Sequence, residues 1–455
     1  MGLLDRFRKP KAKPRVAVLG LDGVGAPLIE ALTDAGVMPR MAALRRAGTL
    51  ARMTSSIPTI SSVSWSNFMT GTNPGRHGIY GFTDVKRDSY AVYFPNYRHV
   101  QGATIWDVLG ARGRRSIVLN IPNTYPAKEI AGVLVSGFVA ISMERAVTPA
   151  AVLPVLREHG YKIDVDYVNA NERPEAFFAD LFATLAARRK TFEHFLTAED
   201  WDCFIGVITE TDRLHHYFWN QFVDAGAPWH QRFLDFYAEI DAAIGAFAGA
   251  LPAGTPLFIV ADHGHTLIES EFYPNVWLRR EGLLAFKTPT PKSIADLDPG
   301  SQAFILDPGR IYLNLKSRFA QGVVEPGAEA EDLLRRITAG LQAIDAPHAA
   351  PGGARRPVQA TFRREAIYAG PQLAQAPDAV LHFADGFDIK GAVARDELFG
   401  RSALTGMHTY DDALFYVNRP GFPTAGLAIT DLAPTILAML GVAPDEPMDG
   451  RVLAA

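Results

Sequence analysis

Short apolar runs alternate with helical periodicity along this chain. Val16-Ala17-Val18-Leu19-Gly20-Leu21 is apolar without a period of two, and it ends at Asp22-Gly23. Leu28, Ile29 and Leu32 then recur at helical spacing before Gly36, which predicts the order strand, loop, helix. The pattern returns at 116–120, 132–137, 203–209 and 257–261. Runs this short and uniformly apolar suit strands buried on both faces of a parallel sheet, with helices covering it. Helical periodicity is strongest over 174–196, 229–251, 331–344 and 431–440. The predicted fold is a three-layer α/β/α sandwich with a mostly parallel central sheet. Residues 269–399 are too many for a plain loop and carry their own apolar runs at 310–315 and 378–383, so an inserted cap subdomain is expected there. The expected organisation is a basic flexible terminus over 1–13, a catalytic α/β core over 14–268, the cap with some core elements over 269–399, and the end of the core over 400–455. Residues 347–357, rich in Ala, Pro and Gly, read as flexible.

Composition narrows the function. The 455 residues are 48% hydrophobic and 21% charged, enough to bury a large core. A formal net charge of -4, with no long basic run beyond the terminus, argues against nucleic acid as the main partner and leaves a small anionic substrate open. Cys203 is the only cysteine, which excludes an internal disulfide and a cysteine-built zinc site; a reducing, cytoplasmic setting is expected. No apolar run reaches the roughly 18 residues of a membrane span, and the N-terminus lacks the apolar centre of a secretion signal. Leu3, Leu4 and Phe7 beside Arg6, Arg8, Lys9 and Lys11 suit either peripheral contact with an anionic membrane or a frayed, solvated terminus, and the second is the expectation.

Ligands of open parallel sheets gather beyond the carboxyl ends of the strands. Four clusters fall at or near such ends: Asp22, the segment Thr211-Asp212-Arg213-Leu214-His215-His216, the segment Asp262-His263-Gly264-His265, and Gly406-Met407-His408. Singly, each has an ordinary reading. Asp22-Gly23 is a turn sequence. Asp212 and His216, four apart, share a helix face as zinc-binding pairs do and as many surface pairs do. Asp262-His263 adjoins a buried run and must be compensated by something. Jointly, three aspartates and three histidines suit zinc, with manganese or iron as alternatives. Two metals would use all six, and a pair roughly 4 Å apart clamps a phosphoryl group and lowers the pKa of a bound hydroxyl. The stretch from Pro58 to Gly71 supplies such hydroxyls at Ser61, Ser62, Ser64 and Ser66.

In the order of these motifs the chain resembles the alkaline phosphatase superfamily, and within it the type I phosphodiesterase/nucleotide pyrophosphatase family. The resemblance runs from Leu21-Asp22-Gly23 through Pro58 to Gly71 and Asn73-Pro74-Gly75-Arg76-His77-Gly78-Ile79, then Asp212 to His216, Asp262-His263-Gly264 and Gly406-Met407-His408. It implies an alkaline-phosphatase-like fold and two divalent ions. One would be held by Asp212, His216 and His408, the other by Asp22, Asp262, His263 and the Ser61 oxygen. It also implies Ser61 as nucleophile, three residues after Pro58 and nine before Thr70, acting through a phosphoseryl intermediate. The rival, Ser62, has a helix-capping reading. Ser64 and Ser66 are expected to pack or face solvent. Arg213 and His215 are candidates for substrate contact or for a plain helix surface. Asp449-Gly450-Arg451 resembles the family's C-terminal tail, with a structural role. One departure is the lack of an asparagine around Gly81-Phe82, where nucleotide-processing members bind a phosphate oxygen, so the nucleotide class stays open.

The expected function is therefore a metal-dependent phosphoester hydrolase, a phosphodiesterase before a phosphomonoesterase or phosphomutase. Sulfatases share the fold but need a Cys/Ser-x-Pro-x-Arg segment that is missing near Ser61 and Cys203. A serine hydrolase of the Gly-x-Ser-x-Gly type has no matching segment. A noncatalytic binding protein on this fold would be expected to lack a ligand or the nucleophile. Tyr90, Tyr93, Phe94 and Tyr97 either line a substrate pocket or pack, and packing is the expectation.

Overall fold

The five apolar runs at the head of the chain and up to residue 261 are all strands of one sheet. In the computed structural model, which describes residues 13–168, 170–347 and 355–454, they form part of a nine-stranded sheet. We number its strands in chain order: β1 Val16–Leu21, β2 Thr49–Thr54, β3 Ser116–Ile121, β4 Gly132–Ser136, β5 Val147–Thr148, β6 Cys203–Ile208, β7 Leu257–Val260, β8 Ala413–Val417 and β9 Leu427–Ala428. Their order across the sheet is β9-β2-β8-β7-β1-β6-β3-β4-β5. Strands β7, β1, β6, β3 and β4 run parallel, so their carboxyl ends share one edge. Strand β8 reads like its apolar neighbours in sequence but lies antiparallel between β7 and β2. Strand β2 alternates buried and more exposed positions, a two-faced pattern unlike the central runs.

Two glycines show how helices close on both faces. Gly20 on β1 pairs in register with Val207 on β6, and Leu19 with Gly206. A Cβ on Gly20 would come within 2.6 Å of the Trp65 ring, and one on Gly206 within 2.8 Å of the Phe192 ring. Because side chains alternate along a strand, these two glycines open opposite faces. Trp65 belongs to the Ser61–Thr70 helix, which packs with the Leu432–Met439 helix on one side. Phe192 belongs to the Pro174–Ala198 helix, which packs with His230–Ala250 on the other. The result is an α/β/α sandwich.

Between β7 and β8 the chain builds smaller sheets. Four antiparallel strands, Ala303–Leu306, Arg310–Leu313, Ala379–Phe383 and Val358–Arg363, lie in that order and bury a separate apolar cluster around Phe304, Ile311 and Leu381. Gly264–Leu267 pairs antiparallel with Gly406–Thr409, a link from the end of β7 to the start of β8. Tyr90 and Tyr97 pack as expected, Tyr90 stacked on Phe319 and Tyr97 beside Trp106, while Phe94 is exposed. Among the described residues no helix is long and apolar enough to cross a membrane. The first twelve residues, where membrane contact was considered, and most of the Pro/Gly-rich segment, 348–354, lie outside the described residues.

The helix that follows β6, Glu210–Val223, is held at its first residue by a buried ion pair. Arg188 and Glu210 are fully buried, with Nε donating to Oε1 at 2.7 Å. Arg188 also donates to the Tyr161 hydroxyl at 2.8 Å and to the carbonyls of Lys162 and Ile163. Removing one partner leaves a buried charge without compensation. Arg188→Met is therefore expected to cost about 3–5 kcal/mol, read as a fall in the urea midpoint at unchanged m, and Arg188→Met/Glu210→Leu to recover much of the loss. A single mutant as stable as the parent would show that water reaches Glu210.

Candidate metal centre and active site

The carboxyl edge of the sheet collects the acids and imidazoles. Asp22 follows β1, Asp212 and His216 sit on the first turns of the helix after β6, Asp262 and His263 follow β7, and His408 lies on the Gly406–Thr409 strand. All are brought together, in two groups whose ligand atoms lie within 4.8 Å of one another: Asp22, Asp262 and His263 in one, Asp212, His216 and His408 in the other. The second group also contains His265, which the sequence reading placed in a cluster without a role. Its signal was the strand pairing: His265 stands directly opposite His408 in the antiparallel ladder, so both rings leave the same face. The rings of His263 and His408 stack at 3.6 Å and join the two groups.

Every imidazole in these groups has its Nδ1 against a backbone carbonyl: His216 on Gly406 (3.0 Å), His263 on Gly264 (3.0 Å), His265 on Gly23 (2.9 Å) and His408 on Thr59 (3.1 Å). A carbonyl only accepts, so each Nδ1 carries a proton and donates it. Each Nε2 is thereby turned toward the centre, with the carbonyl fixing the ring's orientation as it does in metal-ligating histidines. His216 Nε2 and His408 Nε2 meet at 3.1 Å, and Asp212 Oδ1 lies 3.3 Å from the first and 3.6 Å from the second. Acceptors so close repel unless a proton or a metal ion sits between them, and against the effect of burial the Asp212 carboxylate holds His408 above the usual imidazole range.

The charges make the same demand. Asp22 is pushed well above the usual carboxylate range by burial and by the negative charges of Asp262 and Asp212. Asp262 is pushed up to about 7, by burial first and then by Asp212, against the Gly23 N–H that donates to its Oδ1 at 3.0 Å. Burial opposes ionisation of Asp212 too, but His216, His408 and Arg213 hold it well below the usual range. Burial lowers His216 and His263 to about 3, which keeps both neutral, as ligation requires. Asp212 Oδ1, Asp262 Oδ2 and His265 Nε2 are buried with no hydrogen-bond partner among the described residues. Oxygen and imidazole donors left unpartnered in this way fit divalent metal.

Ser61 opens the Ser61–Thr70 helix, every residue of which is buried. Its Oγ lies 3.3 Å from Asp22 Oδ1 and 3.1 Å from His263 Nε2. Trp65, one turn on, donates Nε1–H to Asp22 Oδ2 at 2.9 Å, so the helix that carries Ser61 also orients the aspartate beside it. Ser62 does not cap: the helix has no side-chain cap, and the Ser62 oxygen is buried without a partner. Ser64 bonds Ser55 and Ser56, and Ser66 bonds the Ser62 carbonyl, so both pack and neither faces solvent. His215 is no helix-surface residue either. It is buried between the Gly23 carbonyl and the Tyr237 hydroxyl, at 2.9 and 2.6 Å.

A cleft of about 290 Å³ reaches the group from outside, lined by Thr59, Phe82, Arg213, Tyr217, Lys390 and His408 among others. Arg213 is clamped by two nitrogens on Asp164, reaches Asp212 Oδ2 at 3.3 Å, and lies over the rings of Phe138 and Tyr167. Lys390 pairs with Asp388 at 2.7 Å.

Two solved structures superpose on this chain at a TM-score of 0.63: phosphonoacetate hydrolase from Sinorhizobium meliloti 1021 in complex with phosphonoformate, and the same protein in complex with phosphonoacetate. Each is 18% identical, over 96% of this chain and 97% of the other, a likeness of fold. Comparison of the sequence with curated proteins gives no significant match. The family model of type I phosphodiesterase / nucleotide pyrophosphatase matches residues 16–411, a span within which the acids and imidazoles at the sheet edge all lie. The chain belongs to that family, within the alkaline phosphatase superfamily, and is a phosphoric ester hydrolase.

Proposed function

We propose that this hydrolase cleaves a small phosphodiester with Ser61 as nucleophile and two divalent ions, zinc being the metal the donors suit best and manganese or iron the alternatives. The observation that carries this reading is the position of Ser61 Oγ, 3.3 Å from Asp22 and 3.1 Å from His263, against the Asp22–Asp262–His263 group. Asp212, His216 and His408 would hold one ion, and Asp22, Asp262, His263 and Ser61 Oγ the other. Bound ions supply charge to stabilise the nonbridging and leaving oxygens and lower the pKa of the hydroxyl they touch. Ser61 Oγ gives up its proton to solvent and attacks phosphorus, the bond to the leaving alkoxide breaks and that alkoxide is protonated by water, and a phosphoseryl group that still carries the second ester substituent forms at Ser61. Water attacks that phosphorus from the vacated side and returns Ser61 as a hydroxyl. The start of the Ser61–Thr70 helix directs its positive end at the transferred group throughout.

Charge balance in the cleft favours a diester over a monoester. A monoester brings a second negative charge, which related sites meet with an added cation. Here both cations named on the cleft wall are already matched, Arg213 by Asp164 and Asp212, and Lys390 by Asp388. The small cleft fits a small ester. Phosphonoformate and phosphonoacetate, the ligands of the structural neighbours, are small too. The single, buried Cys203 supports the cytoplasmic setting proposed from composition.

The reading is tested with bis-p-nitrophenyl phosphate beside p-nitrophenyl phosphate, using metal-stripped protein reloaded with zinc or manganese. Turnover of the diester should exceed that of the monoester and need metal, and Ser61→Ala should lower kcat by roughly 10³–10⁶-fold with unchanged metal content. Preference for the monoester would make this a phosphatase, and an active Ser61→Ala would remove the phosphoserine. Independently of turnover, elemental analysis should find two metal equivalents per chain, and metal at about 100 times the Kd of a site should stabilise the stripped protein by about 2.7 kcal/mol for each site so filled. A melting temperature indifferent to metal would contradict the site.

A further inference from the structure

His265 has no place in the seven-residue set, yet its surroundings are those of a ligand. We infer that His265 is a fourth protein donor to the Asp212–His216–His408 site, that this site binds the tighter ion, and that the Asp22–Asp262–His263 site beside Ser61 is the weaker and more open one. The inference rests on the two-metal reading above.

The contrast with its neighbour His215 carries the argument. Both rings donate Nδ1–H to the same acceptor, the Gly23 carbonyl, each at 2.9 Å. For His215 the second nitrogen is satisfied by the Tyr237 hydroxyl at 2.6 Å, as a structural core histidine requires. His265 Nε2 is equally buried and has no hydrogen-bond partner among the described residues. It points at Asp212 Oδ1, 3.6 Å away, which also has none. Metal-to-donor distances of about 2.0–2.1 Å in a tetrahedral site put donors about 3.3 Å from one another. The separations here are 3.1 Å between His216 and His408, and 3.3, 3.6 and 3.6 Å from Asp212 Oδ1 to His216, His265 and His408. Four donors already stand at the spacing of one ion.

The backbone is shaped to keep His265 there. Gly23 adopts φ +73, and a Cβ on it would meet the His265 ring at 2.7 Å, so the imidazole fills the space a side chain would need. Its strand partner is His408, so the ladder that places one ligand places the other. Each site counts four protein donors, but one of those in the second is the serine oxygen that takes part in the chemistry, so the first keeps four permanent donors and the second three. The first leaves a substrate oxygen only an expanded, fifth position. The second site keeps room for the reacting phosphate. The two ions would therefore differ in affinity and in task.

X-ray absorption on stripped protein given one equivalent of zinc tests this, because the number of imidazoles around the metal separates the cases. Three imidazoles support the assignment. Two would remove His265 from the ligand set, and one would show that the Asp22 site fills first, overturning the order. In chelator competition, His265→Gln should weaken the first equivalent at least about tenfold and leave the second unchanged; equal affinities in parent and variant would overturn the inference. Total metal content tests the underlying reading separately: a single equivalent at saturation would defeat the two-metal site, while the imidazole count still decides His265.

Discussion

The turn at Asp22-Gly23 is the constraint on which the site depends. Gly23 takes a left-handed conformation closed to most side chains, and so turns both of its polar groups inward. Its N–H donates to Asp262, and its carbonyl accepts from His215 and His265. The carbonyl of Asp22 accepts from Thr211, at the start of the helix that carries Asp212 and His216. One dipeptide at the end of β1 thus fixes the ends of β6 and β7 relative to each other. Turn and ligand were alternative readings of Asp22-Gly23, and the structure uses the pair as a turn while aiming the Asp22 carboxylate at the site.

Burial and like charge set the chemistry that this frame permits. Three carboxylates and four imidazoles converge in a region almost closed to water. Protonation relieves the strain only partly, by pushing Asp22 and Asp262 upward, and the orphaned oxygens and nitrogen remain. Cations resolve the whole set at once, which is why an arrangement of such mutually repelling groups suits a metallohydrolase. Fold stability and catalytic competence are coupled through the same atoms, since the Trp65 that seats a helix on Gly20 also orients Asp22.

Much of this was legible in the residues. Uniformly apolar runs with an acid or histidine at or shortly after their ends marked β1, β6 and β7, because a side chain carrying charge is costly to bury within such a strand. The family's motif, matched from Pro58 to Thr70, implied Ser61, and Ser61 is the serine that lies against Asp22 and His263. Other features were beyond local pattern. Ala413–Val417 has the same apolar texture as the parallel strands and pairs antiparallel, since strand direction depends on how the intervening chain returns. Ser64, Ser66 and His215 resemble surface residues in sequence and are buried, each satisfied by a partner distant in the chain or one helical turn away.

By itself, the sequence determined the layered α/β class, the residues able to hold metal and the family to which their order belongs. The first two follow from hydrophobic periodicity and from the chemistry of Asp and His, the third from the resemblance of the motif order to a known family, and none of them depends on distant contacts. Only the tertiary structure decided which imidazole nitrogen faces the centre, that His265 joins Asp212, and that the cations Arg213 and Lys390 are already neutralised. Each of those depends on a hydrogen bond or ion pair between parts of the chain far apart in sequence, and their geometry exists only once the strands have taken their register.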